Sequence, residues 1–187
     1  MGNGTTDDTA ALQAAINAAI ATRRALIIPA GDYSTGPLTI ALTTDPAING
    51  FEMFGEGRGA TRLVRRDNDS RALLTVSDTE IPQTVSTVFR NFTVEGFGVN
   101  FGTGIQLRHV ASVSILHVFV YNCMIGIDCF GGNSNELEMG YIGNCGTGVL
   151  IRKFNAGVSY PNAISIRRMK ISDCPTQRLT STMAQIS

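Results

Sequence analysis

The strongest constraint on this chain is a motif that returns at a fixed interval. "GTGIQLRH" begins at Gly102, "MIGIDCFG" at Met124 and "GTGVLIRK" at Gly146, so the three starts are evenly spaced. The period is about 22 residues, within the range of stacked-repeat proteins. The preceding runs return with them: "HVFVYNC" ends at Cys123, "MGYIGNC" at Cys145 and, after a longer interval, "RMKISDC" at Cys174. An earlier "NFTVEGF", ending at Phe97, fits with a slightly longer offset. Repetition at such a period signals stacked units, each too small to bury its own apolar face. The runs are short, β-branched or aromatic, and broken by Gly, Asn and Asp, which marks them as brief strands joined by turns. Two or three strands per circuit, with circuits stacked at about 4.8 Å and hydrogen-bonded to one another, make a parallel β-helix. Leucine-rich repeats share the period, but their Leu and Asn framework is missing. Unequal offsets fit as well, because an insertion in a turn leaves the strands in register.

Strand alternation then divides core from surface. Ile105, Ile127 and Val149 are expected to stack inward with Leu107, Cys129 and Ile151. Gln106, Asp128 and Leu150 are expected to point outward beside Arg108, Phe130 and Arg152. In the other strand Val94, Val120, Ile142 and Ile171 form the inward ladder. Thr93, Phe119, Tyr141 and Lys170 face out, next to Glu95, Tyr121, Gly143 and Ser172. Cys123, Cys145 and Cys174 recur at a strand-to-turn junction and Cys129 takes a core slot, so the cysteines read as small hydrophobes. Asn122 and Asn144 read as an asparagine ladder, with Asp173 near them.

Before the repeats lies "TTDDTAALQAAINAAIATRR", where Leu12, Ile16, Ala19, Ile20 and Arg23 fall at spacings of three and four. Thr6 or Asp7 can accept the free amides of the first turn, so a capping helix is expected over 6–24. Coils are expected over 26–175 and a tail over 176–187, within one all-β domain spanning 1–187. The tail is too polar and short for a lid. The chain is therefore expected either to be a fragment or to have its far end covered by a partner or by its own copies. Equal numbers of basic and acidic residues, 15 each, give no overall attraction to nucleic acid or an acidic membrane. No apolar run approaches a membrane span, and no signal peptide is visible.

The N-terminal third carries a specific likeness. "GNGTTDDTAALQAAI" from Gly2, "IPAGDYSTGPLTI" from Ile28 and "GEGRGATRLV" from Gly55 occur in that order. In this the chain resembles the pectate-lyase-like right-handed β-helix proteins, a group that includes phage tailspike depolymerases and other polysaccharide-degrading enzymes. The likeness covers residues 2–66. Asn3 stands where the group usually has Asp, a change that keeps a turn-forming side chain. The resemblance implies a right-handed helix of coils capped by the N-terminal α-helix. For phage members it also implies a homotrimer, or assembly with other virion proteins, in a virion tail or extracellular setting, acting on bacterial surface polysaccharide.

Hydrolysis of a glycan needs two carboxylates; elimination beside a uronate needs a base and a cation. Asp128 is the first catalytic candidate, with Arg108 and Arg152 in neighbouring coils to grip an anionic sugar. The same three residues also suit a surface salt-bridge ladder. Phe119, Tyr121 and Tyr141 with Glu95 and Lys170 form a second candidate surface, since sugar rings pack on aromatic faces while their hydroxyls seek polar partners. Aromatic stacking between coils or at a subunit interface fits them equally. Glu138, paired with Glu136 on one strand face, is a further acid; both also suit plain solvation. His109 and His117 lack a third ligand for zinc, and Cys-x5-Cys matches no metal knuckle, so neither metal nor cofactor is expected. The function read here is a polysaccharide-binding and, in one alternative, polysaccharide-degrading tailspike or tail-fibre segment, hydrolase or lyase. The other alternative is a non-catalytic structural virion or adhesin module.

Overall fold

The computed structural model describes residues 1–42, 50–78, 83–152 and 163–176, so the expected tail lies outside the described residues from 177 onward. Among these residues, three parallel sheets wind into a right-handed β-helix. Sheet A stacks Asn3–Asp7, Gly31–Thr35, Thr61–Arg65, Thr93–Glu95, Phe119–Tyr121, Tyr141–Gly143 and Lys170–Ser172. Sheet B stacks Leu26–Ile28, Glu52–Gly55, Gln83–Arg90, Val110–Leu116, Glu136–Glu138 and Ser165–Arg167. Sheet C stacks Leu38–Leu42, Ala72–Asp78, Thr103–Arg108, Ile125–Phe130 and Thr147–Arg152. Each circuit visits B, then A, then C, so a strand bonds to its counterparts one circuit before and after.

The register follows the repeat. Ile105 pairs with Ile127 and that with Val149, while Leu107, Cys129 and Ile151 align beside them, all buried. On sheet A, Leu63, Val94, Val120, Ile142 and Ile171 form one inward ladder. Each such side chain removed from water stabilises the coil by roughly 1.5–3 kcal/mol, so the stacked column supplies the cohesion that no single circuit has. Cys123 and Cys145 are buried with their thiols donating to the carbonyls of Tyr121 and Gly143, each at 3.3 Å. The repeat fails at one place. Phe97, which the sequence aligns with Cys123, is 51% exposed and packs edge-on against Phe101 at 5.9 Å. The pairing holds through Glu95 and Tyr121, after which the chain leaves register at Gly96, where a side chain would overlap the Asn122 carbonyl. The longer offset of this coil carries its insertion in this turn.

Corners are built from left-handed residues. Between sheets B and A stand Asn91, His117, Met139 and Arg168, with φ of 62°, 52°, 52° and 50°. Between sheets A and C stand Asn122, Asn144 and Asp173, at 58°, 47° and 56°. Asn, Asp and His tolerate this region best, which explains most of these choices. The asparagine ladder is present: Asn144 Nδ2 donates to Asn122 Oδ1 at 2.6 Å.

Helix α1 runs Thr9–Thr22 and buries Leu12, Ile16 and Ala19 against the first circuit. It begins later than expected because the preceding residues form a strand, Asn3–Asp7, which pairs with Gly31–Thr35. Asp7 still helps the helix begin, accepting from the Thr9 amide at 3.0 Å. The helix also closes the exposed edge of sheet C, because Gln13 mimics a strand. Its Nε2 donates to the Thr39 carbonyl at 2.7 Å and its Oε1 accepts from the Thr39 amide at 2.9 Å. Unpaired edge groups invite aggregation, and this side chain satisfies two of them.

Candidate functional site

Sheet A presents two outward columns. One runs Asp32, Arg62, Thr93, Phe119, Tyr141, Lys170, and the other Val64, Glu95, Tyr121, Gly143, Ser172. Thr93 is nevertheless buried, its hydroxyl donating to the Arg58 carbonyl. Arg62 ties the columns together. Its guanidinium bonds Asp32 at 2.8 Å and Glu95 on the neighbouring column, and reaches the Tyr121 hydroxyl at 3.3 Å. Tyr121 in turn donates to Glu95 Oε2 at 2.9 Å, and Asn122 Nδ2 donates to Oε1 at 3.3 Å. Glu95 therefore sits inside a closed network with little capacity for a further donor. The bond to Glu95 raises the Arg62 pKa further, so the cation is permanent.

Burial first, and then the hydrogen bond to Glu95, hold the Tyr121 phenol above its ordinary value of 10.0. The unfolded chain gives up this proton near pH 10.0 while the folded protein keeps it, so stability contributed here is lost as pH rises from that point through the folded value. Burial raises Tyr33 likewise. In an alkaline titration followed by phenolate absorbance, Tyr33 and Tyr121 are expected to ionise late, and Tyr121→Phe should remove one late component.

Beyond this network the first column becomes apolar. The rings of Phe119 and Tyr141 meet edge to face at 5.4 Å. Arg58 lies over the Phe119 ring at 4.7 Å, and Lys170 Nζ lies 5.9 Å from the Tyr141 centroid. The Tyr141 hydroxyl shares a hydrogen bond with Ser172 Oγ at 2.8 Å, which fixes the ring. Both rings are half-buried and Lys170 is exposed, so the structure brings three of the sequence candidates together as a ring platform with cations at both ends.

Asp128 occupies the expected column but is covered there. It lies in the outward column between Gln106 and Leu150, yet its exposure is 0%. Arg152 folds back over it, donating from Nε to Oδ1 at 3.0 Å and from a terminal nitrogen to Oδ2 at 2.7 Å, while Gln106 Nε2 adds a bond of 2.8 Å. The same guanidinium stacks 4.1 Å from the Phe130 ring. The carboxylate is thus enclosed by a bidentate cation and an amide, the arrangement of the salt-bridge alternative. Arg108 is exposed and aligns with Phe130 and Arg152 in the same column.

Glu138 stands on sheet B, 20% exposed, with Arg168 at 3.6 Å; Glu136 has Arg167 at 3.8 Å. Next to them the corner between sheets B and A encloses a groove of about 640 Å³ lined by Glu56, Arg58, Asn91, His117, Met139 and Arg168. His117 Nε2 lies 3.2 Å from Met139 Sδ. The sequence does not mark Arg58, Arg168, Glu56 or Arg62 as site residues, and it offers His117 only as an incomplete zinc ligand. The signal available is positional: His117 and Met139 lie one period apart at a corner that demands left-handed backbone.

No protein family matches this chain, and no curated protein matches it. Solved structures do. The chain is similar to the Geobacillus virus E2 protein ORF18, with 16% identity and a TM-score of 0.57 over 97% of this chain. It spans only 41% of that protein's length. The Agl-KA catalytic domain is similar at 14% identity and a TM-score of 0.34, covering 92% of this chain and 46% of that one. The A-module of the Azotobacter vinelandii mannuronan C-5 epimerase AlgE4 follows at 12% identity and 0.31, covering 100% and 97%. At so low an identity, the virus protein's likeness is one of fold.

Proposed function

We propose that this chain is a polysaccharide-binding β-helix of a phage tail, a tailspike or tail-fibre segment that holds bacterial surface glycan on the outer face of sheet A. The observation that carries the reading is the Phe119 and Tyr141 platform with Arg58 and Lys170 at its ends. Half-exposed rings accept the C–H face of a sugar, and flanking cations donate hydrogen bonds to its oxygens. The resemblance over residues 2–66 and the fold shared with a virus protein support the setting. Assembly as a homotrimer or with other virion proteins belongs to the same reading and rests on the resemblance.

Binding without cleavage is the form the geometry favours. Hydrolysis requires two carboxylates on either side of one glycosidic bond. Asp128, Glu95 and Glu138 stand instead on sheets C, A and B, and each is taken up by a cation, Arg152, Arg62 and Arg168 respectively. The test is calorimetric titration against a panel of capsular polysaccharides, with reducing ends and unsaturated products assayed in parallel. Saturable binding with no product is expected. The Phe119→Ala and Tyr141→Ala double variant should weaken it at least tenfold, about 1.4 kcal/mol. Binding that survives the double variant unchanged contradicts the site, and product formation contradicts the binding-only form.

A further inference from the structure

The corner groove next to the ring platform is not required for stacking a neutral sugar. Arg58 belongs to both features, lining the groove while its guanidinium covers Phe119. Arg62, the other arginine beside the platform, is committed to Glu95 and Asp32. The partner that the structure gives the Arg58 guanidinium among the described residues is the Phe119 ring, not a carboxylate. Arg168 meets Glu138 at 3.6 Å and Met139 Sδ at 3.9 Å through one and the same terminal nitrogen, so the other edge of its fork can still take a partner. His117 stands between them on the same corner, two coils before Arg168. Of the acids nearby, Glu56 is engaged by the Ala30 amide at 2.9 Å and Glu138 by Arg168.

We infer that this groove is a subsite for a carboxylate carried by the polysaccharide. It deepens the binding reading above and rests on it: one sugar lies on Phe119 and Tyr141, and the acid group of a neighbouring unit enters the groove between Arg58 and Arg168, beside the His117 ring. The planar fork of a guanidinium matches a carboxylate with two parallel bonds, which a hydroxyl does not reproduce. Three coil steps separate Asn91 from Arg168, a length of about 14 Å at the usual strand spacing, so the groove accepts an extended ligand lying along the axis. The ligand class is therefore a uronic-acid or otherwise carboxylated glycan, and neutral polymers of the same backbone are the weaker ligands.

The experiment uses acidic capsular polysaccharides, each assayed native and after chemical reduction of its carboxyl groups to alcohols. The wild-type protein is expected to bind the native form at least tenfold more tightly at low salt, with the preference shrinking as salt rises. Arg168→Asn combined with Arg58→Gln should bring the ratio within about twofold; asparagine suits the left-handed backbone at 168, so the first change is compatible with folding. Arg168→Asn alone should lower the ratio in the same direction. Equal affinity of the wild type for both forms overturns this inference, and so does a preference that survives in both variants. If both forms bind equally and the Phe119 and Tyr141 variant weakens both, only the carboxylate subsite fails. If neither form binds, the platform reading fails with it.

Discussion

Gly132→Ala is expected to abolish the folded state or to cost more than about 4 kcal/mol, the range reserved for named structural collisions. Gly132 is buried with φ of 91°, a conformation that a side chain strains by itself. The larger effect is steric. A Cβ at this position would overlap the Val110 carbonyl oxygen and lie 2.9 Å from the carbonyl carbon and 3.1 Å from the amide nitrogen. That carbonyl is held in place, because buried Asn135 donates to it at 3.1 Å and accepts from the Val113 amide at 3.0 Å. The corner would have to open between two circuits, and the coils above and below lose register with it. Gly59→Ala is the matched control: nothing lies within 4 Å of its Cβ position, and the change should stay within about 0.5 kcal/mol. Denaturant unfolding of both variants checks the contrast.

Arg152→Met should be the most damaging change of a partly exposed side chain, at about 3 kcal/mol. It strips the bidentate partner from Asp128, a carboxylate that is fully buried in the wild-type protein, and leaves it the Gln106 amide as a hydrogen-bond donor. The figure belongs at the lower end of the usual range because Arg152 is 43% exposed, so water can follow where the guanidinium was. Asp128→Leu is expected to cost less, since the freed arginine can turn to solvent. The double variant should then be more stable than Arg152→Met alone, because the unpaired buried charge is gone. A double-mutant cycle by chemical denaturation measures the coupling. Additive costs would mean that the pair is a surface ladder after all.

The same pair marks the limit of what a sequence pattern reveals. Alternation assigns Asp128 to the outward column correctly, since it pairs with Gln106 and Leu150. A period of two reports which face a residue occupies and is silent on what covers that face. The cover comes from Arg152, one coil on and two positions along, whose length lets it fold back. The inward ladders from Ile105 to Ile151 are legible because equal spacing and apolar character coincide there. The ring platform is legible for the same reason, as Phe119, Tyr141 and Lys170 share one register. Arg62 is not, because it lies upstream of the clear repeats, in a coil joined to them by the Leu63 and Val94 pairing. The groove is hidden more deeply. Its corner residues, Asn91, His117, Met139 and Arg168, share a positive φ and no chemistry, so no pattern of residue type marks the column. An expected helix over 6–24 overshoots the observed Thr9–Thr22 at both ends, whereas its buried face, Leu12, Ile16 and Ala19, is the one that the spacing indicates.

If glycan lies on sheet A and sheet C takes no part, hydroxyl-radical footprinting with and without a bound capsular polysaccharide tests that placement most directly. Phe119, Tyr141 and Lys170 should be protected when the glycan is present, while Phe130 beside Arg152 on sheet C should label equally in both states. Protection of Phe130 and Arg108, with Phe119 and Tyr141 unchanged, would contradict it.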